Sequence, residues 1–441
     1  MTVNAGARLD RLPISSFHRR ILTLISIGMF FDGYDVYVAA SVLGATLHTG
    51  FSTLAQNAQF VSVTFMGMML GSFLTGFLGD RFGRRFTYQA NLIIFGLASI
   101  ASAFAPNMST LILLRGVMGI GLGAELVAGY AAMTEFLPPQ ARGRWCGILN
   151  AVVVTSLPIS ALASALLIPR FGWRIMFIIG GVGALIVWYL RKSMPESPSW
   201  LESVGRTEEA EKMLQDIERE FATQQTALPA PASAPPAASA RNFSSLFGSQ
   251  LFPRLFVGAT VLIVANTLIY GFVTWLPTFF VQQGLSIASS FKYSFLMSIG
   301  APVGAAVAAL SADAVGRKPA IIGASVLTIL FGGIYPFIRA PRLLPLAGFL
   351  LVVCIYILVA LLFAIYIPEL FPTDVRMRAL GLCNTIGRSA TIFTPFLVVF
   401  LFRSHGVAGV VALMIALLVI QILAVHFFGI EPKMRRLEEM Q

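Results

Sequence analysis

The chain has 441 residues but few charged side chains, 31 Lys and Arg against 20 Asp and Glu, which is 12% of the sequence. An ordinary soluble domain carries about 25% charged residues, and the 57% of apolar residues here leave too little polar surface for a soluble protein of this length. The composition argues against a soluble enzyme, a disulfide-stapled secreted domain and a disordered chain, and it indicates an integral membrane protein.

Twelve runs of the sequence are long and apolar enough for a helix that crosses a bilayer, which needs about 20 residues. These runs do not alternate between apolar and polar residues, as the strands of a membrane β-barrel do. We therefore predict an all-α integral membrane protein with twelve transmembrane helices, called spans one to twelve, at 21–47, 58–79, 87–105, 110–134, 145–168, 173–190, 255–281, 291–311, 320–338, 343–367, 379–402 and 407–429.

The segment 191–254 is the one long polar stretch, and it divides the spans into six plus six. Residues 205–221 have helical spacing and many charges, and a Pro- and Ala-rich linker that cannot build a core follows them. We expect an N-terminal six-helix half at 1–190, a cytoplasmic loop at 191–254 and a C-terminal six-helix half at 255–441.

The positive charges are distributed unevenly between the two sides of the predicted membrane. Most Lys and Arg fall in segments on the same side as both chain ends, so the positive-inside rule places both ends in the cytoplasm. The basic balance is therefore a signal of topology, and no nucleic-acid partner is expected. The 3 cysteines and 4 histidines are scattered, so we expect neither disulfide bonds nor a metal site.

The two halves repeat each other along the chain. A shift of 233–234 residues brings glycines and polar residues of the first half onto similar residues of the second, and both halves begin on the same side of the membrane. Parallel halves around a site at the midplane are typical of one class of secondary transporter. The superimposed pairs are Gly67 and Gly300, Gly71 and Gly304, Asp80 and Asp313, Arg84 and Arg317, Glu135 and Glu369, Arg142 and Arg376, and Asn150 and Asn384.

Several motifs resemble those of the major facilitator superfamily of transporters, and the resemblance extends over essentially the whole chain. They are the loop Gly76–Arg85 with its weaker echo at Ser311–Lys318, the glycine-rich Arg115–Gly123 of span four, and Pro195–Trp200 after span six. The resemblance implies two pseudo-symmetric six-helix halves that work by alternating access. A membrane enzyme would need a catalytic constellation, and none is seen in the sequence, so we do not expect an enzyme.

The resemblance extends to subfamilies. Asp32-Gly-Tyr-Asp35 in span one is similar to the DGxD element of aromatic-acid/proton symporters, and the segments that begin at Glu135 and Glu369 are similar to loops shared with metabolite/proton symporters. Drug/proton antiporters carry a GPxxGG element in helix five. Here that stretch is Ser156–Ser160, reading SLPIS, which disfavours an exporter.

Charged residues deep inside spans are costly, and they mark function by default. At ~1.5 Å per residue, Asp35 lies ~21 Å and Arg115 of span four ~22 Å from the cytoplasmic side, so the two can meet. We predict that Asp35 is the main protonation site, that Arg115 tunes it and that Asp32 is its partner. The alternative is a static ion pair that fixes helix packing. Glu125 is either a relay in the inner half of the pathway or a structural hydrogen-bond acceptor.

Arg388 is the only charged residue deep in the second half, close to the predicted midplane. A guanidinium is well suited to bind a carboxylate through two hydrogen bonds, so we predict that Arg388 binds an acidic substrate. The alternative is an interhelical pair with Asp32 or Glu125. Other candidates for substrate binding, several of which would otherwise simply pack, are Asn266, Asn384, Tyr34, Tyr37, Tyr270, Trp275, Tyr356 and Tyr366.

The superfamily resemblance also implies a cytoplasmic gate, in which Asp80 would cap the positive N-terminus of a neighbouring helix. The glycines of spans two, four and eight are expected to permit close helix contact and not to bind a nucleotide. The gate candidates are Asp80, Arg84, Glu135, Arg142, Asp313, Arg317, Glu369 and Arg376.

We predict a proton-coupled symporter of a bacterial inner membrane that imports a small organic acid, with aromatic carboxylates as the best candidates. The alternatives are transport of a sugar-like or cationic metabolite, a proton-coupled exporter, and a membrane receptor that senses its ligand without moving it. We expect a monomer whose partners are the lipid bilayer and a small-molecule substrate, with no cofactor except the proton as coupling ion.

Overall fold

The structure is a computed structural model of the chain. It describes residues 4–222, 246–248, 251–338, 340, 342–371 and 376–431. The predicted Pro- and Ala-rich linker lies outside the described residues for most of its length. Every regular element within the described ranges is a helix, which confirms the predicted all-α class.

The N-terminal part begins with a short helix, α1 (Ala5–Asp10), before the first six spans. Those spans lie close to the predicted bounds, because continuous apolar sequence sets their length. They are α2 (Ser16–His48), α3 (Leu54–Phe82), α4 (Arg84–Ala103), α5 (Met108–Phe136), α6 (Pro139–Phe171) and α7 (Arg174–Leu190).

The connecting segment starts with a 3-10 turn, Arg191–Ser193, and continues with two helices. These are α8 (Pro198–Ser203) and α9 (Thr207–Ala222), the second matching the helical spacing predicted for residues 205–221. We call the membrane face on which α1, α8 and α9 lie the inner face, and the opposite one the outer face.

The last six spans are less regular than the first six. Span seven consists of α10 and α11 joined by a 3-10 turn at Val273–Trp275, and span ten continues from α15 into a π-helical turn at Leu361–Tyr366. The helices are α10 (Phe252–Gly271), α11 (Leu276–Gln282), α12 (Ile287–Ser298), α13 (Gly300–Val315), α14 (Arg317–Ile334), α15 (Leu344–Ala360), α16 (Ile367–Glu369) and α17 (Arg376–Phe428).

The described residues hold 11 helices long and apolar enough to cross a membrane. One of them, α17, has 53 residues and is broken at Gly406, where φ is 63° and ψ is −154°. A 53-residue helix is about twice the length that a bilayer needs. Spans eleven and twelve are therefore the two parts of α17 on either side of Gly406, and the count agrees with the predicted twelve.

Glycines bring spans two and four into backbone contact, as predicted. A Cβ atom added at Gly71 would lie 1.9 Å from the carbonyl oxygen of Ile120, and one added at Gly123 would lie 1.9 Å from that of Met68. Gly304 of span eight has the same role, since its added Cβ would lie 2.4 Å from the carbonyl oxygen of Val353 in span ten. In a membrane, where lipid is as apolar as the helices, such close packing drives helix association.

The first and last six spans contact each other near the outer face and at the middle. A Cβ added at Gly44 of span one would lie 3.2 Å from Pro277 of span seven, and the Ser62 hydroxyl of span two donates a 2.8 Å hydrogen bond to the Ile392 carbonyl of span eleven. The interface therefore passes along spans one, two, seven and eleven, which carry most of the residues predicted to bind the substrate.

On the inner face, α1 is held to α9 by ion pairs. Arg8 lies 2.5 Å from Glu211 and 2.8 Å from Glu218, and Arg11 lies 2.7 Å from the other oxygen of Glu218. Leu9 and the apolar face of α9 also join one buried cluster with the inner ends of spans one, four and five.

Candidate functional site

Asp35 and Arg115 form a buried ion pair between spans one and four, as the depth calculation predicts. Both side chains are only 1% exposed. The Arg115 guanidinium donates to the Asp35 carboxylate and, at 3.0 Å, to the Asp35 carbonyl oxygen, while its Nε donates to Thr64 Oγ1 at 3.2 Å. The ring of Phe60 covers the guanidinium at 5.0 Å. Contacts from spans one and two thus orient Arg115, and its pairing with Asp35 is well specified.

Asp32 is one turn nearer the inner face and has a different environment. It is 2% exposed, and neither of its carboxylate oxygens has a hydrogen-bond partner among the described residues. Between the two acids, Gly33 lets span five approach, because a Cβ there would lie 2.3 Å from Ser156 Oγ. The DGxD element therefore combines two buried acids with one close helix contact.

Glu125 is paired with Arg191, a residue that the sequence interpretation assigned to the cytoplasmic loop. Both side chains are 1% exposed. Arg191 begins the 3-10 turn after span six, and its side chain extends back into the bundle. There it donates to the carbonyl oxygens of Leu24 at 2.9 Å and Ile25 at 3.0 Å as well as to Glu125. Arg191 is thus a sixth deeply buried charge that hydropathy alone did not reveal.

A second group of predicted residues meets between the two halves. The Tyr356 hydroxyl of span ten donates a 3.2 Å hydrogen bond to the Tyr37 hydroxyl of span one. Tyr270 of span seven packs edge-on against Phe65 of span two, with ring centroids 4.4 Å apart, and interacts electrostatically with Tyr37, Tyr356 and Arg388. We call Tyr37, Tyr270, Tyr356 and Arg388 the tyrosine–arginine cluster.

Arg388 is partly buried and has no ion-pair partner among the side chains that the structure describes. Neither Asp32 nor Glu125 reaches it, which removes the predicted alternative of an interhelical pair with those two acids. The two predicted asparagines lie near Arg388 in space or sequence. Asn266 would be 3.0 Å from a Cβ at Gly387, and both Asn266 and Asn384 donate to carbonyls of their own helices at 2.8 and 2.9 Å.

Three predicted aromatic residues lie away from this cluster. Tyr34 is buried against span six, where its hydroxyl donates to the Met176 carbonyl at 3.4 Å. Trp275 is buried in the 3-10 turn of span seven and stacks on Phe279. Tyr366 lies at the inner end of span ten, with its hydroxyl 2.7 Å from where a Cβ at Gly429 would be. These positions are consistent with packing roles.

The gate candidates are described only in part. Arg317 forms a two-pronged ion pair with Glu369, with N–O distances of 2.9 and 3.2 Å. Arg84 begins α4, and its backbone N–H donates to Glu196 at 2.9 Å. The side chains of the remaining candidates lie outside the described part of the structure: Asp80, Glu135, Arg142, Asp313 and Arg376.

Two glutamates that were not among the predicted gate residues cap equivalent helices in the two halves, and one of them, Glu196, belongs to the Pro195–Trp200 motif. Glu196 accepts from the backbone N–H groups of Arg84 and Arg85, and Glu431 accepts from those of Arg317 and Lys318. A carboxylate at a helix N-terminus is stabilised by the unpaired N–H groups and the helix dipole. Because these glutamates are 235 residues apart, they fall outside the 233–234 shift that revealed the repeat.

Comparisons with known proteins identify the family. A family model described as "Sugar (and other) transporter" matches residues 21–441. The chain is 36% identical to the inner membrane metabolite transport protein YdjE of Escherichia coli K12, covering 99% of this chain and 98% of that protein. It is 31% identical to the niacin transporter NiaP of Acinetobacter baylyi, covering 98% and 99%.

Solved structures give the same fold. A partially occluded, inward-open conformation of the xylose transporter XylE from E. coli superimposes with a TM-score of 0.76 at 18% identity, covering 96% of this chain and all of that one. A XylE structure described as a major facilitator superfamily proton:xylose symporter gives a TM-score of 0.71 at 20% identity, covering 96% and 98%.

The chain therefore belongs to the sugar (and other) transporter family within the major facilitator superfamily. The predicted superfamily and twelve-span fold are confirmed. The chain is a multi-pass membrane transporter of the metabolite type and not an enzyme. Its substrate, its coupling ion, its orientation and the roles of its site residues stay predictions.

Proposed function

We propose that this member of the family imports a small aromatic carboxylate together with protons. The tyrosine–arginine cluster holds the substrate between the two halves, and the buried acids of span one carry the proton. Alternating access then exposes the same cluster first to the outer face and afterwards to the inner face.

The proposal rests on the position of Arg388, which lies near Tyr270, and Tyr270 in turn lies near the Tyr37–Tyr356 hydrogen bond between the halves. A guanidinium near a tyrosine, with no carboxylate of the described residues paired to it, is suited to bind a planar acid. The guanidinium binds the carboxylate, and the Tyr270 and Phe65 rings offer apolar surface for the substrate ring. A cationic metabolite is disfavoured at the tyrosine–arginine cluster, because the charged group of the cluster, Arg388, is positive.

The arrangement also supports coupling between substrate and proton. Neighbouring residues of the same two helices belong to both sites: span one carries Asp35 and Tyr37, and span two carries Thr64 and Phe65. The two residues of span one differ in height by only ~3 Å. A substrate that moves Tyr37 or Phe65 therefore also moves the helices that hold the Asp35–Arg115 pair.

Two of the named proteins each support one part of this proposal. One of them is a niacin transporter, and niacin is an aromatic ring with a carboxylate. A solved structure of similar fold is that of a D-xylose–proton symporter, which supports the proton as coupling ion.

The test begins with a thermal-shift screen of the purified protein against nicotinate, benzoate, D-xylose and an organic amine. Hits are then tested for uptake into proteoliposomes with an imposed proton gradient. We expect stabilisation by an aromatic carboxylate and accumulation driven by the gradient. Stabilisation by the sugar or the amine alone would contradict the proposed substrate class.

The role of Arg388 is tested by Arg388→Lys, which keeps the charge but loses the planar pair of donors. Charge-assisted hydrogen bonds are worth about 1.5–3 kcal/mol, so the affinity for the carboxylate should fall about 10- to 100-fold. The matched control is Arg403→Lys in the same helix, where the arginine is exposed near the outer face. Unchanged affinity in Arg388→Lys would remove this residue from the site.

A further inference from the structure

We propose that the coupled proton is held by Asp32, not by Asp35, and that Arg191 is the positioning residue that determines when Asp32 releases it. The inference rests on the proposed proton coupling, but it assigns the proton to one carboxyl group, that of Asp32, and adds Arg191, which lies outside the predicted site.

The buried charges of the N-terminal spans include one acid more than they have cations. Among the described residues, the deeply buried charged side chains are three acids, Asp32, Asp35 and Glu125, against two cations, Arg115 and Arg191. Each cation is committed to one acid, since Arg115 pairs with Asp35 and Arg191 with Glu125. Asp32 is left over.

An ionised Asp32 would be costly in free energy at its buried position. An isolated carboxylate taken out of water costs several kcal/mol unless it is paired or well hydrogen-bonded. Both oxygens of Asp32 are buried and have no partner among the described residues. A neutral carboxyl group avoids this cost, and it brings the three acids and two cations to overall neutrality.

The guanidinium of Arg191 lies against the helix that carries Asp32. The Nη2 atom of Arg191 would lie 2.0 Å from a Cβ at Gly28, so the absence of a side chain at Gly28 makes room for the guanidinium. Gly28 is four residues before Asp32 on the same helix, and such positions share one face. The guanidinium therefore lies one turn below the carboxyl group, on the side of the inner face.

The charged groups around Asp32 come from three elements. Asp35 is on its own helix, Glu125 on span four and Arg191 in the turn after span six, and each interacts electrostatically with Asp32. From span five, the neutral hydroxyl of Ser156 lies beside the adjacent Gly33. Among the described residues, Arg191 is the cation that an ionised Asp32 can reach without breaking the Asp35–Arg115 pair, and Arg191 is bound to Glu125.

Proton release then proceeds by exchange of partners. The O–H bond of Asp32 breaks, and the proton goes to the free oxygen of Glu125, Oε2, which has no partner among the described residues. Glu125 becomes neutral and lets Arg191 turn to the new carboxylate of Asp32. The net charge within the N-terminal spans is unchanged by this step, and the proton has moved from span one to span four, towards the inner face.

The assignment is tested first by infrared spectroscopy of the substrate-free transporter, which detects the carbonyl band of a protonated carboxyl group at neutral pH. We expect the band in the wild type, its loss in Asp32→Asn, and its persistence in the double variant Asp35→Asn/Arg115→Gln, which removes the other acid with its counterion. A band that persists in Asp32→Asn, or that is lost in the double variant, would overturn the assignment.

Transport separates coupling from substrate binding. Exchange of labelled for unlabelled substrate across the membrane needs no net proton movement, so Asp32→Asn should keep this exchange and lose gradient-driven accumulation. If no carboxylate is transported by the wild type while the infrared result holds, the proposed substrate fails and the proton assignment stands. Full accumulation by Asp32→Asn would refute the assignment.

The role of Arg191 is tested in a Glu125→Gln background, so that no second acid is left unpaired. With Lys at position 191 a cation remains beside Asp32, whereas Gln at that position removes it. We expect the Asp32 band to persist to higher pH in Glu125→Gln/Arg191→Gln than in Glu125→Gln/Arg191→Lys. Identical pH titrations would show that Arg191 only supports the fold.

Discussion

The replacement of Asp35 by Asn tests whether the buried ion pair holds spans one and four together. In the wild type, Arg115 is 1% exposed and shares its charge with the Asp35 carboxylate. Asp35→Asn has almost the same shape but leaves the guanidinium without a counterion. Breaking one side of a buried pair costs about 3–5 kcal/mol, because an uncompensated charge stays in the apolar interior.

The contacts of Arg115 narrow the expected loss of stability in Asp35→Asn. Two hydrogen bonds of Arg115 survive the substitution, those to the Asp35 carbonyl and to Thr64, and the Phe60 ring still covers the guanidinium. We therefore expect a loss near the lower end, about 3 kcal/mol. The assay is reversible unfolding of the purified protein in mixed micelles.

Two variants provide controls. The double variant Asp35→Asn/Arg115→Met removes the unpaired charge and should recover most of the lost stability. Glu209→Gln breaks an ion pair with Arg206 whose side chains are 56% and 50% exposed, and it should leave the stability unchanged. If Asp35→Asn is as stable as the wild type, or if the double variant is no better than the single one, the pair does not contribute as we argue.

Three further predictions concern packing, the inner face and the tyrosine–arginine cluster. Gly123→Ala forces a methyl group against the Met68 carbonyl and should lower the free energy of unfolding by up to about 3 kcal/mol. Gly147 lies in a helix with open space around it, so Gly147→Ala should raise the free energy of unfolding by about 0.5–1 kcal/mol. Unfolding in micelles measures both changes. Burial opposes ionisation of Glu218, but hydrogen bonds from the two arginines of the α1 segment hold its pKa below the usual value. The ionised Glu218 therefore stabilises the contact of α1 with α9 fully above the usual glutamate pKa of about 4.3, and this contribution is lost as the pH falls through the lower native value. Limited proteolysis of α1 as a function of pH measures the loss. Glu218→Gln should reduce the pH dependence, and because Glu211 also pairs with Arg8, Glu218→Gln/Glu211→Gln should remove it. Tyr356→Phe deletes one hydroxyl and should weaken carboxylate binding by about tenfold, with little change in stability, as thermal shift at graded ligand concentrations would show.

The spans and the Asp35–Arg115 pair could be predicted because each depends on one linear property of the sequence. Apolar run length fixes where helices cross the bilayer, and the rise per residue fixes the depth of each charge. Opposite charges at one depth in neighbouring antiparallel helices then meet. Depth says nothing about direction around a helix, however. Tyr34 and Tyr37 are three residues apart, but Tyr34 packs against span six while Tyr37 meets Tyr356 across the interface.

Arg191 could not be found by the same approach, because its backbone lies at the end of span six, where hydropathy places a loop. Its long side chain extends back to the carbonyls of Leu24 and Ile25. A hydropathy value describes the position of the backbone in the sequence and does not show how far a side chain reaches. A signal was nevertheless present. Arg115, the cation of the same span, lies ten residues from Glu125, ~15 Å along the helix, and a buried acid needs a cation closer than that.

The complete set of deep charges leads to a prediction of stoichiometry. With Arg388 included, the deep charged side chains of the described residues comprise three acids and three arginines, so the empty transporter is neutral inside the spans when Asp32 is deprotonated and carries one positive charge when Asp32 is protonated. A bound monocarboxylate adds one negative charge, and a proton on Asp32 restores neutrality. A state with only one of the two carries an unbalanced charge that is costly to bury as the halves rearrange. We therefore expect one proton per monocarboxylate and no net charge movement. In proteoliposomes a pH gradient should drive accumulation, whereas a potassium diffusion potential imposed without a pH gradient should not; accumulation driven by the potential alone would refute this charge balance.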